Sequence, residues 1–209
     1  MRACISTNGE LFDLKKARLE CSTADIIIAA DGGARHLEKI GLKPHVIIGD
    51  MDSIDASLWD EDSSIERIVY PAQKDTSDTE LAVDLAFNRG CSQVALIAAT
   101  GGRMDHLFGN ICLTAKYPGR VAIIEGKMTL VAIDKSRKLR INGKPGDRVS
   151  LFSFGESVAN VKASGLKYEI ENENLLVGTR GISNEMNANG ACVCVSSGLL
   201  LAYTENSAS

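Results

Sequence analysis

Four short acidic segments, each containing or adjoining polar loop residues, constrain the fold of this chain most strongly. Each follows an apolar run rich in β-branched residues, directly or after a short link, and such runs are typical of buried strands. Helical stretches lie between the runs, and this alternation favours an α/β domain with a parallel sheet. In such sheets ligands bind at the carboxyl ends of the strands. The four segments are residues 31–33, 49–53, 74–78 and 101–106.

Aspartates are concentrated in these segments, and at one sheet edge their charges would repel one another unless a cation lay among them. Hard oxygen ligands suit Mg²⁺, which usually arrives in a site together with substrate phosphates. The pattern therefore predicts a site for metal-bound polyphosphate. The aspartates concerned are Asp31, Asp50, Asp52, Asp75, Asp78 and Asp105.

Taken singly, each segment also has a structural explanation. Aspartate and glycine at 31–33 are common turn residues, and Asp50 with Asp52 can form a cluster of Asx turns. Ser77 has capping-box spacing to Glu80, so it can cap a helix in which Asp78 complements the dipole. That explanation leaves residues 74 and 75 without a role. Four such segments at one sheet edge favour a functional site.

The segment at 101–106 combines a glycine loop, an arginine and the start of a predicted helix. Backbone N–H groups at a helix N-terminus and a guanidinium together form a cradle for an anion. His106, taken alone, is more typical of a structural histidine. The segment therefore predicts a phosphate-binding loop.

Composition excludes several classes of partner. The net charge is −4, whereas a nucleic-acid scaffold or a protein bound to an anionic membrane needs a basic surface, so we expect neither partner. The six cysteines form no Cys-x-x-Cys pair, and we expect free, buried thiols in a reducing compartment. The first residues do not continue into a signal-peptide core, so we expect a cytoplasmic protein.

The pattern changes near residue 134. Before it, helices are predicted at 34–40, from Asp78 onward and at 105–117, and strands at 120–125 and 127–133. After it, only short strands separated by turn residues occur, which is typical of a small sandwich or barrel. We therefore expect an α/β domain over residues 1–134 and a small all-β sandwich or barrel domain over residues 135–209. The Rossmann fingerprint, the P-loop, the zincin motif and the hydrolase nucleophile elbow are absent from the sequence.

The segments resemble motifs of the thiamine pyrophosphokinase family, in the same order along nearly the whole chain. The matching segments are residues 31–34, 44–53, 74–80, 101–106, 165–168 and 181–185. Two features depart from the family pattern. Glu169-Ile170 stands where Pro-Leu is expected, and the only tryptophan, Trp59, is far from the C-terminal motif.

The resemblance implies a transferase that moves the terminal pyrophosphoryl group of ATP to the hydroxyethyl oxygen of thiamine, giving thiamine diphosphate and AMP. It implies ATP as co-substrate, Mg²⁺ as cofactor and a homodimer with shared active sites. The first domain would be the catalytic, ATP- and Mg²⁺-binding one. The second would bind thiamine and form the dimer.

The resemblance also implies roles for individual residues. The metal ligands would be Asp50, Asp52 and Asp78. The ATP- and phosphate-binding residues would be Asp31, Lys74, Asp75, Thr76, Gly101, Gly102, Arg103 and His106. Asp78, Arg103 and Asp105 would be catalytic, with Asp105 either orienting the attacking alcohol or adding to the metal site. Ser183 and Asn184 would hydrogen-bond thiamine.

Two alternatives account for the first-half motifs as well. One is another Mg²⁺-dependent nucleotidyltransferase or nucleotide hydrolase on the same scaffold, which leaves the segment at 181–185 without a role. The other is a non-catalytic nucleotide-binding sensor, for which Arg103 and the full set of carboxylates would be excessive. An assay with ATP, Mg²⁺ and thiamine distinguishes all three.

Overall fold

The structure is a computed structural model that describes residues 1–50, 62–71, 73, 75–155 and 157–207. The chain forms two compact units. The first contains Met1–Ile111 and Ile123–Gly126, and the second contains Cys112–Ala122 and Lys127–Ser209.

A parallel sheet forms the centre of the first unit. Its strands are β1 (Arg2–Ser6), β2 (Ile26–Ala30), β3 (Val46–Gly49), β4 (Glu66–Val69) and β5 (Gln93–Ile97). They lie in the order β5-β1-β2-β3-β4, and each neighbouring pair is parallel. Every residue of β2 and β3 is buried, as expected for strands covered on both faces. The predicted α/β domain with a parallel sheet is confirmed.

The helices are α1 (Leu14–Ser22), α2 (Ala34–Lys39), α3 (Asp78–Asn88) and α4 (Met104–Lys116). The predicted cap of α3 is present, because the N–H of Glu80 donates to Ser77 Oγ at 3.2 Å. The predicted helices α2, α3 and α4 are confirmed, and their observed bounds lie within a residue or two of the predicted ones.

Helix α1 was not predicted, because charged residues interrupt its apolar pattern. It buries Glu20 together with Ala17 and Cys21. Burial raises the pKa of the Glu20 carboxyl, but ion pairs with Lys16 and Arg2 outweigh that effect and hold the pKa below its usual value. Glu20, a charged residue, therefore lies on the buried face of this helix.

Two antiparallel sheets make up most of the second unit. After β6 (Val121–Glu125), whose residues divide between the units, come β7 (Met128–Ile133), β8 (Leu139–Ile141), β9 (Arg148–Ser153), β10 (Val158–Ser164), β11 (Ile170–Leu175), β12 (Asn184–Glu185), β13 (Ala191–Cys194) and β14 (Leu200–Glu205). The strands of the first sheet that belong to this unit have the order β12-β9-β14-β7, and the second sheet has the order β11-β10-β13-β8. Leu151 and Ala202 from the first pack with Val161 and Val193 from the second in one core. The predicted all-β sandwich is confirmed.

All six cysteines are free, as predicted, but only three of them are buried. Cys112 is exposed, and Cys192 and Cys194 are half-buried. The prediction of burial is wrong for these three. On β13 the core positions belong to Ala191 and Val193, so the alternating cysteines face away from the core.

No helix among the described residues is long and apolar enough to cross a membrane.

Candidate active site

A cavity of about 620 Å³ lies at the carboxyl ends of the parallel strands in the first unit. Its wall comes from the segments that follow β1, β2, β3 and β5 and from the first turns of α3 and α4. The lining residues are Thr7, Asn8, Gly9, Ala30, Asp31, Asp50, Asp75, Thr76, Ser77, Asp78, Thr79, Ala99, Gly101, Gly102, Arg103, His106, Leu107 and Asn110. The sheet edge predicted to hold the site thus forms a concave surface.

Most of the residues predicted for nucleotide and metal binding line this cavity. They are Asp31, Asp50, Asp75, Thr76, Asp78, Gly101, Gly102, Arg103 and His106. Asp52 and Lys74 lie outside the described residues. Asp105 is not part of the lining, and Ser183 and Asn184 belong to the second unit.

Asp31 is held in an unusual geometry directly after β2. Its backbone has a φ of 51°, a left-handed conformation that is uncommon outside glycine and often occurs at functional sites. Asn8 Nδ2 donates to Asp31 Oδ2 at 3.1 Å, and Arg35 Nη2 donates to Asn8 Oδ1 at 3.0 Å. Asp31 Oδ1 is buried without a hydrogen-bond partner in the described part of the chain. This oxygen is available to a ligand.

Gly49 brings the backbone of β3 close to two of the other acidic segments. A Cβ at this position would lie 3.4 Å from Asp31 Cα and 3.5 Å from Asp78 Oδ1. Asp50 follows Gly49 and lines the same cavity. Three acidic segments therefore approach one another around Gly49.

This donor set suits a hard divalent cation, because its members are carboxylate oxygens and one of them is buried without a partner. Within the described ranges, however, no three acidic, histidine or cysteine side chains are already gathered into a metal-binding cluster. One of the three predicted ligands, Asp52, lies outside those ranges. The residues present fit Mg²⁺ by their chemistry.

Another part of the wall suits phosphate. Gly101 and Gly102 have φ values of 74° and 62°, a conformation that glycine adopts without steric cost. They precede α4, and the first turns of α3 and α4 both contribute to the cavity wall. The N-terminal ends of helices carry partial positive charge and free N–H groups, which favour anions. Carboxylates and anion-binding groups thus share one cavity.

Arg103 and Asp105 form a two-pronged ion pair at the rim. Arg103 Nε lies 3.1 Å from Asp105 Oδ1, and Nη2 lies 2.5 Å from Oδ2. The pairing raises the pKa of Arg103 and lowers the pKa of Asp105. Both side chains are exposed, at 73% and 63%, so the pair is screened by solvent and contributes little to stability. It fixes the direction of the guanidinium.

Sequence reasoning missed the part of the cavity that follows β1. Thr7, Asn8 and Gly9 line it, but this segment carries no carboxylate and was not singled out. Its position directly after an apolar run was the feature of the sequence that could have identified it. His36 of α2 holds the segment through a 2.9 Å contact between Nε2 and the Gly9 carbonyl oxygen, and burial lowers the pKa of this histidine.

Both residues predicted to bind thiamine lie at the start of β12, in the second unit: Ser183 is the last turn residue before the strand, and Asn184 is its first residue. Ser183 is exposed with a φ of 59°, and its N–H donates to Ser150 Oγ at 3.0 Å. Asn184 is only 5% exposed. Its amide accepts from the N–H of Tyr168 at 3.1 Å and donates to the Tyr168 carbonyl at 2.7 Å. Asn184 therefore also fixes the segment around Tyr168.

Comparison with protein families decides the identity. Residues 17–124 match the family model described as the catalytic domain of thiamin pyrophosphokinase. Residues 133–200 match the model described as its vitamin B1 binding domain. The chain belongs to the thiamine pyrophosphokinase family. The resemblance found in the sequence motifs is confirmed, and the two matches cover both halves of the chain.

Individual members of the thiamine pyrophosphokinase family show the same relationship. A thiamine pyrophosphokinase of Bacillus subtilis is 31% identical over an alignment of 175 residues that covers 76% of this chain and 77% of that protein. The crystal structure of thiamin pyrophosphokinase from Geobacillus thermodenitrificans is 27% identical with a TM-score of 0.85, covering 100% of this chain and 99% of that one. The B. subtilis crystal structure has a TM-score of 0.86 with 100% coverage of both chains at 23% identity, which supports the fold. The boundary between residues 134 and 135 stays a prediction.

Proposed function

We propose that this chain transfers the pyrophosphoryl group of ATP to thiamine, giving thiamine diphosphate and AMP. The observation that carries the proposal is the pair of family matches along the chain. The cavity supports it independently, because it combines carboxylates with an anion cradle at the edge of a parallel sheet. Metal-bound polyphosphate needs both kinds of group.

The chemical step requires positioning and charge stabilisation more than covalent chemistry. We assign Gly101, Gly102 and the first turn of α4 to the phosphates of ATP, together with Lys74, Thr76 and His106. Asp31 would lie beside the nucleotide, and Asp75 would support the metal ligands. Arg103 would neutralise charge on the transferred group. Asp105 would orient this guanidinium through the ion pair and either orient the attacking hydroxyl or add to the metal site.

Mg²⁺ is the cofactor we assign to the acidic part of the cavity. Asp50 and Asp78 would hold it together with Asp52, and the buried Oδ1 of Asp31 adds a further oxygen donor nearby. When bound, the ion would neutralise the polyphosphate and stabilise the charge that develops on its oxygens. The carboxylates would keep ion and phosphates in a fixed relation to Arg103.

Thiamine would be recognised by the turn at Ser183 and Asn184. Replacing Ser183 by alanine should raise the thiamine Michaelis constant about 5- to 100-fold, because a buried hydrogen bond to substrate is worth about 1–3 kcal/mol. The Michaelis constant for ATP should change less than twofold, and stability should change by less than about 0.5 kcal/mol, because Ser183 is exposed. Steady-state kinetics with each substrate varied in turn measures the difference. Equal effects on both substrates would place this turn outside the thiamine site.

Asn184 requires a different control, because its amide also holds Tyr168. Asn184 is buried, whereas Ser183 is exposed. Replacement by alanine leaves backbone groups of Tyr168 without partners, so it should cost about 1–3 kcal/mol of stability. The effect of this replacement on thiamine binding can be interpreted only if urea denaturation of the same variant shows how much stability is lost. Ser183 is therefore the cleaner test.

We also propose a homodimer in which each active site takes residues from both chains. The cavity is lined by residues of the first unit, whereas Ser183 and Asn184 belong to the second. A two-fold partner can bring such segments together. Light scattering at assay concentration checks the proposal, and a monomer with full activity would refute it.

We also propose a cytoplasmic location, since the six free thiols suit a reducing compartment.

A product assay tests the proposed reaction. The full chain is incubated with ATP, Mg²⁺ and thiamine, and the nucleotides are separated. AMP should form in a one-to-one ratio with thiamine diphosphate and only when thiamine is present. ADP as the only nucleotide product, or ATP turnover that does not depend on thiamine, would favour the hydrolase or nucleotidyltransferase alternative. Nucleotide binding without turnover would favour the sensor.

A further inference from the structure

Asp147 is a buried carboxylate of the second unit to which the proposed reaction gives no role. It is 2% exposed and directly precedes β9. Its Oδ1 accepts from the N–H and from the Oγ of Ser207, both at 2.8 Å, and its Oδ2 accepts from the N–H of Lys144 at 2.9 Å. The N–H of Lys144, and after it the N–H of Ser207, hold the pKa of Asp147 below its usual value. The carboxylate therefore ties the turn before β9 to the segment that follows β14.

The turn before β9 also holds the end of β12. Residues 144–147 form this turn, which is closed by the N–H of Asp147 donating to the Lys144 carbonyl at 3.1 Å. The N–H of Met186 donates to the Asp147 carbonyl at 2.8 Å, and the N–H of Gly146 donates to the Met186 carbonyl at 2.9 Å. Met186 directly follows the two residues of β12, Asn184–Glu185. Two backbone hydrogen bonds therefore attach the turn to the residue next to β12.

Close packing fixes the distance between this turn and Met186. A Cβ on Gly143 would lie 2.6 Å from Met186 Sδ and 2.7 Å from Asp147 Oδ2. Met186 is itself 2% exposed. β12 pairs with β9 only through the registers of Asn184 with Val149 and of Glu185 with Arg148. Because so short a strand has few ladder hydrogen bonds, its position depends on the attachment at Met186.

We infer that Asp147 is a positioning residue for thiamine. Its carboxylate fixes the turn of residues 144–147 against Ser207, and the backbone of that turn holds Met186, which sets the position of Ser183 and Asn184. The identity of the ligand as thiamine rests on the proposed function. The link from Asp147 to β12 rests on hydrogen bonds within the second unit alone.

The test replaces Asp147 by asparagine, which keeps the size of the side chain but has one oxygen acceptor instead of two. Either Lys144 or Ser207 then faces an amide group that cannot accept its hydrogen bond. Calorimetric titration of the full chain with thiamine should show binding weakened about tenfold, whereas binding of the fluorescent analogue TNP-ATP with Mg²⁺ should stay within twofold. In the active enzyme the Michaelis constant for thiamine should rise about tenfold, and that for ATP should stay within twofold.

Asp134→Asn is the matched control. Asp134 also accepts from the N–H and the Oγ of a serine, Ser136, and it lies in the same unit directly after β7. This replacement should change neither Michaelis constant. Amide hydrogen exchange gives a readout that does not depend on thiamine. In Asp147→Asn the exchange of residues 183–187 should speed up about tenfold, with no change in β1 and β2.

Two variants of Ser207 test the route of the effect. Ser207→Pro removes both the N–H and the hydroxyl that Asp147 binds, so the Michaelis constant for thiamine should again rise about tenfold. Ser207→Thr keeps both donors, and this constant should stay within twofold of that of the unmodified chain. Both changes lie beyond the last strand, so they test the contact even where Asp147→Asn folds poorly.

Three outcomes would each overturn the inference. They are unchanged exchange and thiamine binding in Asp147→Asn, an equal change in both Michaelis constants such as a general loss of folded protein produces, and equal impairment of Ser207→Thr and Ser207→Pro. Failure of the proposed reaction is a separate result. It would abolish thiamine-dependent AMP formation by the unmodified chain, whereas faster exchange at residues 183–187 in Asp147→Asn would still support the link from Asp147 to β12.

Discussion

Replacing Asp50 or Asp78 by asparagine is expected to lower the turnover number at least about 100- to 1000-fold, the loss typical of removing one preorganised electrostatic contact to a transition state. Both residues line the cavity, and Gly49 brings β3 close to Asp31 and to Asp78 Oδ1. Asparagine keeps the shape but removes the charge that holds Mg²⁺ with its polyphosphate. The expected loss is therefore in catalysis, and thiamine binding should change little.

The free energy of unfolding of these variants distinguishes a catalytic role from a structural one. Neutralising a carboxylate in an acidic cavity should change the free energy of unfolding by no more than about 2 kcal/mol. The measurements are steady-state kinetics over a range of Mg²⁺ concentrations and urea denaturation of each variant. Asp84→Asn is the control, since Asp84 lies on the same helix as Asp78 but does not line the cavity. An Asp50 or Asp78 variant that unfolds readily yet keeps its activity per folded molecule would show a structural role.

Replacing Gly33 by alanine is expected to destabilise the first unit by at least about 3 kcal/mol, at the upper end of the cost of overpacking. The added Cβ would lie 2.0 Å from the Ser6 carbonyl oxygen and 2.5 Å from the Ser6 carbonyl carbon. Both atoms are backbone atoms of the fully buried end of β1. They can move away only by separating β1 from the turn that carries Asp31, so the nucleotide site should be lost as well.

Gly109→Ala is the matched control, because the same chemical change meets no atom within 4 Å there. Gly109 lies inside α4, so alanine should stabilise the helix by about 0.5–1 kcal/mol. Urea denaturation followed by circular dichroism should move the two midpoints in opposite directions. Equal midpoints for the two variants would contradict the close approach of Gly33 to β1.

The pattern of apolar runs and helical stretches was sufficient to predict the parallel sheet, because strands buried on both faces need continuous β-branched runs such as 26–28 and 46–48. The cap at Ser77 was predictable from a local pattern as well, since capping depends on residues three positions apart in one segment. Helix α1 was not predictable in this way. Its buried Glu20 becomes acceptable because Lys16 of the same helix and Arg2, 18 residues away, both pair with it.

For the candidate site, the sequence determined the residue types and, through their order, the family. Acidic and glycine-rich segments that follow predicted strands can be assigned to one site from the sequence, because the carboxyl ends of the strands in a parallel sheet lie at one edge. Only the tertiary structure decided which of them line one cavity. It brought Thr7, Asn8 and Gly9 into the wall and tied Asp105 to Arg103 at the rim. It also buried Asn184. These relations join residues far apart in the sequence: Thr7, for example, donates to the Ala98 carbonyl, 91 positions away, and only the packing of the folded chain brings such distant residues into contact.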